Sequence, residues 1–190
     1  MLIYEGDTIE SIYYLVSGYV KVSNISDSGV QQTIIIYKAG DTFPLVGFLS
    51  GGGVARYFYE CLTVIEIKSR PQAEFQKLIK GNLELGEELI AYTYNTSLQF
   101  MERIETLSAS SARAKVISLL RYLSNKTGDE QGNKIVLGVP LTSREIAEMC
   151  GLTRETASLH LVKLRSEGVL SGRRYLSIDK QKLSQLSRSH

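Results

Sequence analysis

The sequence predicts an α+β chain in three successive parts: a β sandwich or jelly roll, one long helix, and a winged helix-turn-helix. Three observations carry this. Tyr, Val, Ile and Thr crowd residues 2–68, where Gly18, Gly29 and Gly40 recur eleven residues apart as turns. A helical pattern then runs unbroken over about residues 83–107. Residues 141–170 read as two short helices joined at Gly151 and leading into a hairpin.

In chain order, residues 12–16 and 19–22 are strands flanking Ser17-Gly18, and residues 33–37 form a third after the Asp27-Ser28-Gly29 turn. Residues 62–68 are expected as the closing strand, with no helix of useful length before them. Pro71 is expected as the first residue of a short helix, capped by Ser69, running to Ile79 and broken at Gly81-Asn82. In the long helix, Leu83, Ile90, Ser97 and Ile104 keep a seven-residue spacing, and Leu89, Thr93, Phe100 and Leu107 fill neighbouring faces. That stripe suits a helix pairing with its twin, and equally one packed on its own sandwich; periodicity leaves both open. Residues 108–111, Ser-Ala-Ser-Ser, are the expected hinge, followed by a helix over residues 112–124 and a strand over residues 134–139. The expected division is therefore residues 1–81, a helix over 82–107, and a C-terminal domain over 108–190.

Thr142-Ser143-Arg144-Glu145 is a capping box: Thr142 accepts from the third helical N–H and Glu145 reaches back. Gly151 suits the left-handed residue that ends this helix, and Thr153 can cap the next. Ala157, Leu161 and Leu164 give the second helix one apolar face. Residues 169–170 and 175–178 then form a wing, with Arg173 and Arg174 near its tip, and Asp179 can cap a last short helix. A helical hairpin could carry a capping box without touching nucleic acid; the added turn glycine and wing point to DNA.

Charge is divided unevenly. Residues 108–190 hold 14 Lys or Arg against 7 Asp or Glu, a balance of +7, whereas residues 1–107 hold 8 against 13, a balance of −5. A basic module on an acidic one suits a polyanion-binding head. Cys61 and Cys150 are the two cysteines, too few for a four-cysteine zinc or iron–sulfur site and in keeping with a reducing cytoplasm. No apolar run reaches membrane-spanning length, and no nucleophile–base spacing, metal cluster or phosphate loop marks an enzyme. No cofactor is expected.

The order of these parts, with Gly6-Asp7, Tyr14-Leu15-Val16-Ser17-Gly18, Gly40-Asp41 and Arg154-Glu155-Thr156, resembles the cyclic-AMP receptor protein/FNR (CRP/FNR) family of bacterial transcription regulators. The likeness covers nearly the whole chain and is most specific at residues 142–168. It implies a cyclic-nucleotide-binding-like jelly roll, a dimerisation helix and a winged helix-turn-helix acting as a cytoplasmic homodimer on double-stranded DNA, with RNA polymerase as a further partner. It also implies that Arg154, Glu155, Ser158 and Leu159 face base edges. Thr142, Ser143, Thr153, Thr156, Lys163, Arg173 and Arg174 would meet phosphates, helped by Arg113, Lys115 and Arg165.

The sequence departs from the family in two places. Leu159 stands where arginine is usual, and leucine can meet only a thymine methyl. His160, at a commonly apolar place, is expected to be packed or half-exposed. In the first domain, the phosphate-binding glutamate is absent, Arg56 is followed by Tyr57, and Phe100-Met101 replaces the polar pair that meets adenine. Phe43, Phe48, Arg56, Tyr57, Phe58 and Phe100 are the candidate effector pocket, with strand alternation allowing one of Tyr57 and Phe58 to line it. The expected effector is therefore not cyclic AMP but an apolar or small organic molecule, or none. The two histidines are both C-terminal, away from the family's haem ligand, and Cys61 reads as a redox-sensitive thiol or, more commonly for a lone strand cysteine, a small buried hydrophobe. The family's usual residues before Leu2 are missing, which reads as a shortened form. An effector-binding module that signals through protein partners is the alternative function.

Overall fold

The computed structural model describes residues 1–27, 29–45 and 53–187. The chain forms two compact units, one of Met1–Gly29 with Ile34–Phe100 and the other of Val30–Thr33 with Met101–His190.

The first unit is built on β1 (Ser11–Ser17), β2 (Tyr19–Ile25), β3 (Gln31–Lys38, whose residues 31–33 are counted with the second unit), β4 (Thr42–Phe43), β5 (Phe58–Cys61) and β6 (Glu66–Pro71). They make two three-stranded sheets, ordered β4-β1-β6 and β3-β2-β5. Ile3, Ile9, Leu15, Val20, Val22, Ile35, Phe43, Ala55 and Tyr59 meet in one core drawn from both sheets. The four consecutive residues Val20, Lys21, Val22 and Ser23 are all buried, so β2 shows no simple alternation of apolar and polar positions. Its buried Lys21 is paired at 3.1 Å with Glu60, directly opposite on β5.

Two expectations for this unit need correction. Residues 62–68 are not one strand: residues 62–65 bend, and β5 and β6 lie on either side. The bend crosses Gly18, whose φ is +89° and where a Cβ would come within 2.3 Å of the Val64 carbonyl oxygen, so a side chain is excluded. Thr63 holds the bend by accepting the Tyr19 N–H at 3.0 Å. Pro71 does not open α1 (Gln72–Gly81); it is the extended N-cap at φ −53° and ψ 137°, with no side-chain cap. Ser69 is occupied in the β6–β1 ladder opposite Tyr13, and the Gln72 N–H bonds to Glu10 instead.

Helix α2 (Leu83–Ser108) has two apolar-bearing sides. Leu85, Leu89, Tyr92, Thr96, Gln99, Arg103 and Thr106 turn inward, while Leu83, Ile90, Tyr94, Met101 and Ile104 are exposed. The inward side is anchored by Tyr92, whose phenol accepts the Thr42 N–H and donates to the Thr42 carbonyl, both at 3.0 Å.

The second unit holds α3 (Ala112–Thr127), α4 (Ser143–Cys150), α5 (Arg154–Ser166) and α6 (Lys180–Ser187). Beside them a four-stranded sheet runs β7-β8-β10-β9, formed by β7 (Gly128–Gln131), β8 (Lys134–Leu137), β9 (Leu170–Ser171) and β10 (Ser177–Asp179). Helix α3 outruns its expected end because Lys126 and Thr127 are buried and Thr127 back-bonds to Leu123. Strand β7 was hidden by its polar sequence, Gly-Asp-Glu-Gln, which an edge strand open to solvent tolerates.

Candidate nucleic-acid interface

Helix α4 begins at the capping box read from the sequence: the Glu145 N–H donates to Thr142 Oγ1 at 3.2 Å, and Glu145 accepts the Thr142 N–H. It ends at Gly151, left-handed at φ 62° and ψ 43°, whose N–H bonds to the Ala147 carbonyl. That conformation suits glycine and turns the chain sharply. Thr153 then caps α5 by accepting the Thr156 N–H at 3.2 Å. Ile146, Ala147, Met149 and Cys150 of α4 are buried, as are Ala157, Leu161 and Leu164 of α5. The apolar face with which α5 closes the helix-turn-helix angle is thus the one read from the sequence.

What this packing leaves outside defines the site. Arg154, Glu155, Leu159, Val162 and Lys163 are exposed along α5, and Ser158 and His160 are half-buried. Glu155, Leu159 and Val162 follow each other at four and three residues, so they share one face. Among the described residues, neither Arg154 nor Glu155 has a side-chain partner. The hydroxyls of Thr142, Thr153 and Thr156 are engaged in the caps, with Thr153 and Thr156 also 2.9 Å apart. Ser143, in the first turn of α4, is half-buried. Arg173 and Arg174 are exposed between β9 and β10, and the Leu141 N–H fixes the wing through the Arg174 carbonyl at 2.9 Å. Arg113 is spoken for: it donates to Glu167 at 2.6 Å, and that bond holds the Glu167 carboxyl below the usual carboxylate range. Asp179 caps α6 through the Lys182 N–H at 2.9 Å, which likewise lowers its pKa.

Val162 was missed. It is 59 % exposed beside Leu159 at 64 %, an apolar pair on an otherwise polar surface. The signal was present: Val162 lies three residues after Leu159 and off the Ala157–Leu161–Leu164 face. Cys150 is fully buried, and burial pushes its thiol up to about 12, so it is no thiolate at neutral pH.

Among the described residues, the candidate effector residues of the first unit divide between its core and its surface. Phe43 is fully buried and stacks between Tyr37 and Tyr59, at ring-centroid distances of 4.9 and 5.7 Å. Tyr57 packs against the same core just before β5, and alternation along β5 sets Phe58 on the face opposite Tyr59. Arg56 is exposed, and Phe100 lies on the exposed part of α2 next to Met101. Phe48 falls outside the described residues.

Comparison with known proteins fits this arrangement. Residues 114–186 match the Crp-like helix-turn-helix domain, and residues 1–82 match the cyclic nucleotide-binding domain. The chain belongs to the CRP/FNR family of transcription regulators. Among curated CRP/FNR-type relatives, the global nitrogen regulator of Nostoc sp. is 27% identical over 171 residues, covering 90% of this chain and 77% of the relative. The cAMP-activated global transcriptional regulator CRP of Pasteurella multocida is 25% identical over 174 residues, covering 90% and 81%. Among solved structures, FixK2 from Bradyrhizobium japonicum shares the fold at a TM-score of 0.82 and 22% identity, covering 97% of this chain and 91% of that one. As a CRP/FNR-type regulator the chain is a DNA-binding protein of a dimer-forming kind. Among the described residues, no helix is long and apolar enough to cross a membrane.

Proposed function

We propose that this CRP/FNR-type regulator reads a palindromic operator as a homodimer joined through the exposed apolar side of α2, with one α5 in each of two major grooves. The observation that carries the reading is the bare start of α5, where Arg154 and Glu155 stand in solvent with no side-chain partner among the described residues while the opposite face is buried. Arg154 holds guanine O6 and N7, and Glu155 accepts from a cytosine amino group. Leu159 and Val162 contact thymine methyls, and Ser158 donates to a neighbouring base or phosphate. Lys163, Arg173 and Arg174 position the protein on phosphates, joined by Ser143 and the threonines at the two helix starts. Half-sites then lie about one helical turn, ~34 Å, apart.

Its place is the cytoplasm, its second partner is RNA polymerase, and it regulates rather than catalyses, as its relatives do. Its effector is an apolar or small organic molecule rather than cyclic AMP. What supports this is an exposed Arg56 without a following serine, and Phe100-Met101 in place of a polar pair.

Selection of bound DNA from a random pool at ~0.15 M salt tests the reading, since phosphate affinity falls steeply with salt. The expected result is a palindrome with guanine, cytosine and thymine in each half. Recovery of DNA without a shared sequence would sink it.

A further inference from the structure

The last turns of α2 belong to the second unit, and one buried cation explains how they are held there. Arg103 is 4 % exposed. One of its terminal nitrogens donates to the Met149 carbonyl at 2.6 Å and to the Thr33 carbonyl at 3.1 Å. The guanidinium carbon lies 5.3 Å from the centre of the Tyr122 ring on α3. Met149 sits in the final turn of α4, where carbonyls lack intrahelical partners and the helix dipole favours a positive charge. Two residues later comes Gly151, and three beyond that α5 begins. Nearby, Thr106 back-bonds to Glu102 and meets Ser118 of α3 at 3.2 Å.

An arginine is suited to this place. Its planar head presents several donors at once and can stack on an aromatic face while bonding at its edge. Leaving the Met149 carbonyl buried without a donor would be costly, so the contact has one preferred geometry. Because α4 and α5 close on each other through buried residues, fixing the end of α4 also fixes the start of α5.

We propose that Arg103 is a positioning residue for DNA reading: it locks the end of α4, and through Gly151 the reading helix, onto the last turns of α2. This rests on the dimeric, palindromic reading given above. If α2 joins the protomers, the lock makes residues 108–111 a braced corner instead of a free hinge, and the two reading helices face half-sites at one separation. Without it, each head swings, other separations become acceptable, and the best one loses its advantage.

The test uses the full-length dimer and four DNAs: the selected palindrome, the same half-sites moved one base pair closer or one further apart, and a single half-site. Wild type is expected to prefer the selected spacing at least ~10-fold over either shifted one. Arg103→Met is expected to keep single half-site affinity within ~2-fold while its preference among spacings falls below ~3-fold; Arg103→Lys should fall between. A merely structural arginine would lower binding to all four DNAs alike, and that result, or full spacing preference in Arg103→Met, overturns the proposal. Should Arg103→Met lack the wild-type far-ultraviolet circular dichroism spectrum, Arg103→Lys takes its place, and wild-type spacing preference in it overturns the proposal. A wild type indifferent to spacing overturns the palindromic reading itself, which separates the two failures.

Discussion

On α5, the residues with chemical character stand outside: Arg154, Glu155, Leu159 and Val162 meet solvent, and Ala157, Leu161 and Leu164 fill the interior. In the β sandwich an aromatic cluster goes inside, with Phe43 stacked between Tyr37 and Tyr59 and tilted against Tyr13, while Tyr4 and Tyr14 stay exposed. The same residue budget thus produces a surface that can discriminate and a core that can only pack. A substitution on α5 should change what is bound and leave folding alone, whereas one in the sandwich should do the reverse.

The largest break should come from Phe43→Ala. Removing a fully buried aromatic ring costs about 3–5 kcal/mol, so urea unfolding followed by tyrosine fluorescence should show a much earlier midpoint. A midpoint unchanged within error would mean that the stack is not the core. Next, Arg154→Ala should cost about 1–3 kcal/mol on the selected operator and relax one base position, with thermal unfolding unaltered. Equal losses on selected and scrambled DNA would remove Arg154 from base reading. Smaller still is the effect of replacing by uracil the one thymine, in a single half-site, whose methyl meets Leu159. Losing one methyl contact at about 0.8 kcal/mol is roughly fourfold in affinity, and Leu159→Ala should abolish that difference. A wild type that binds both DNAs alike would leave the apolar pair without a base to read.

The gentlest probe is acid. The Glu167 carboxyl is held below its ordinary pKa by Arg113 in the folded state, so its contribution is fully present above the unfolded-state pKa, near 4.3. It is lost as pH falls through the lower folded value. Arg113→Gln should therefore lose part of the stability difference between pH 6 and pH 3 seen in wild type. An identical pH profile for the two proteins would show that the pair is not coupled to folding.

The same contrast governs what could be read from sequence. The helix-turn-helix was legible because its determinants are local: Thr142 to Glu145, Gly151 and Thr153 each act within four residues of their partners. The bend at residues 62–65 was not, because its cause is Gly18, more than forty residues away in the chain. Strand β7 was hidden for a related reason, since Asp129 and Glu130 have no strand character until β8 lies beside them. In sequence Arg103 is one more charged residue on a long helix; its partners are carbonyls at positions 33 and 149, far from it in the chain. Val162 could have been found by completing the outward face of α5. The candidate effector residues follow from position in a family pattern, and that pattern does not say which aromatic rings close on one another.

The uncovered side of α2, with Leu83, Ile90, Tyr94, Met101 and Ile104 in water, has a consequence for dosage. If two copies must meet before an operator can be gripped at both halves, the amount of competent species rises with the square of protomer concentration while dimers are scarce. Doubling synthesis would then quadruple the bound form, and a modest change in expression would act as a signal of its own. If that stripe is what joins the copies, its length and apolarity would set the concentration at which this sensitivity ends.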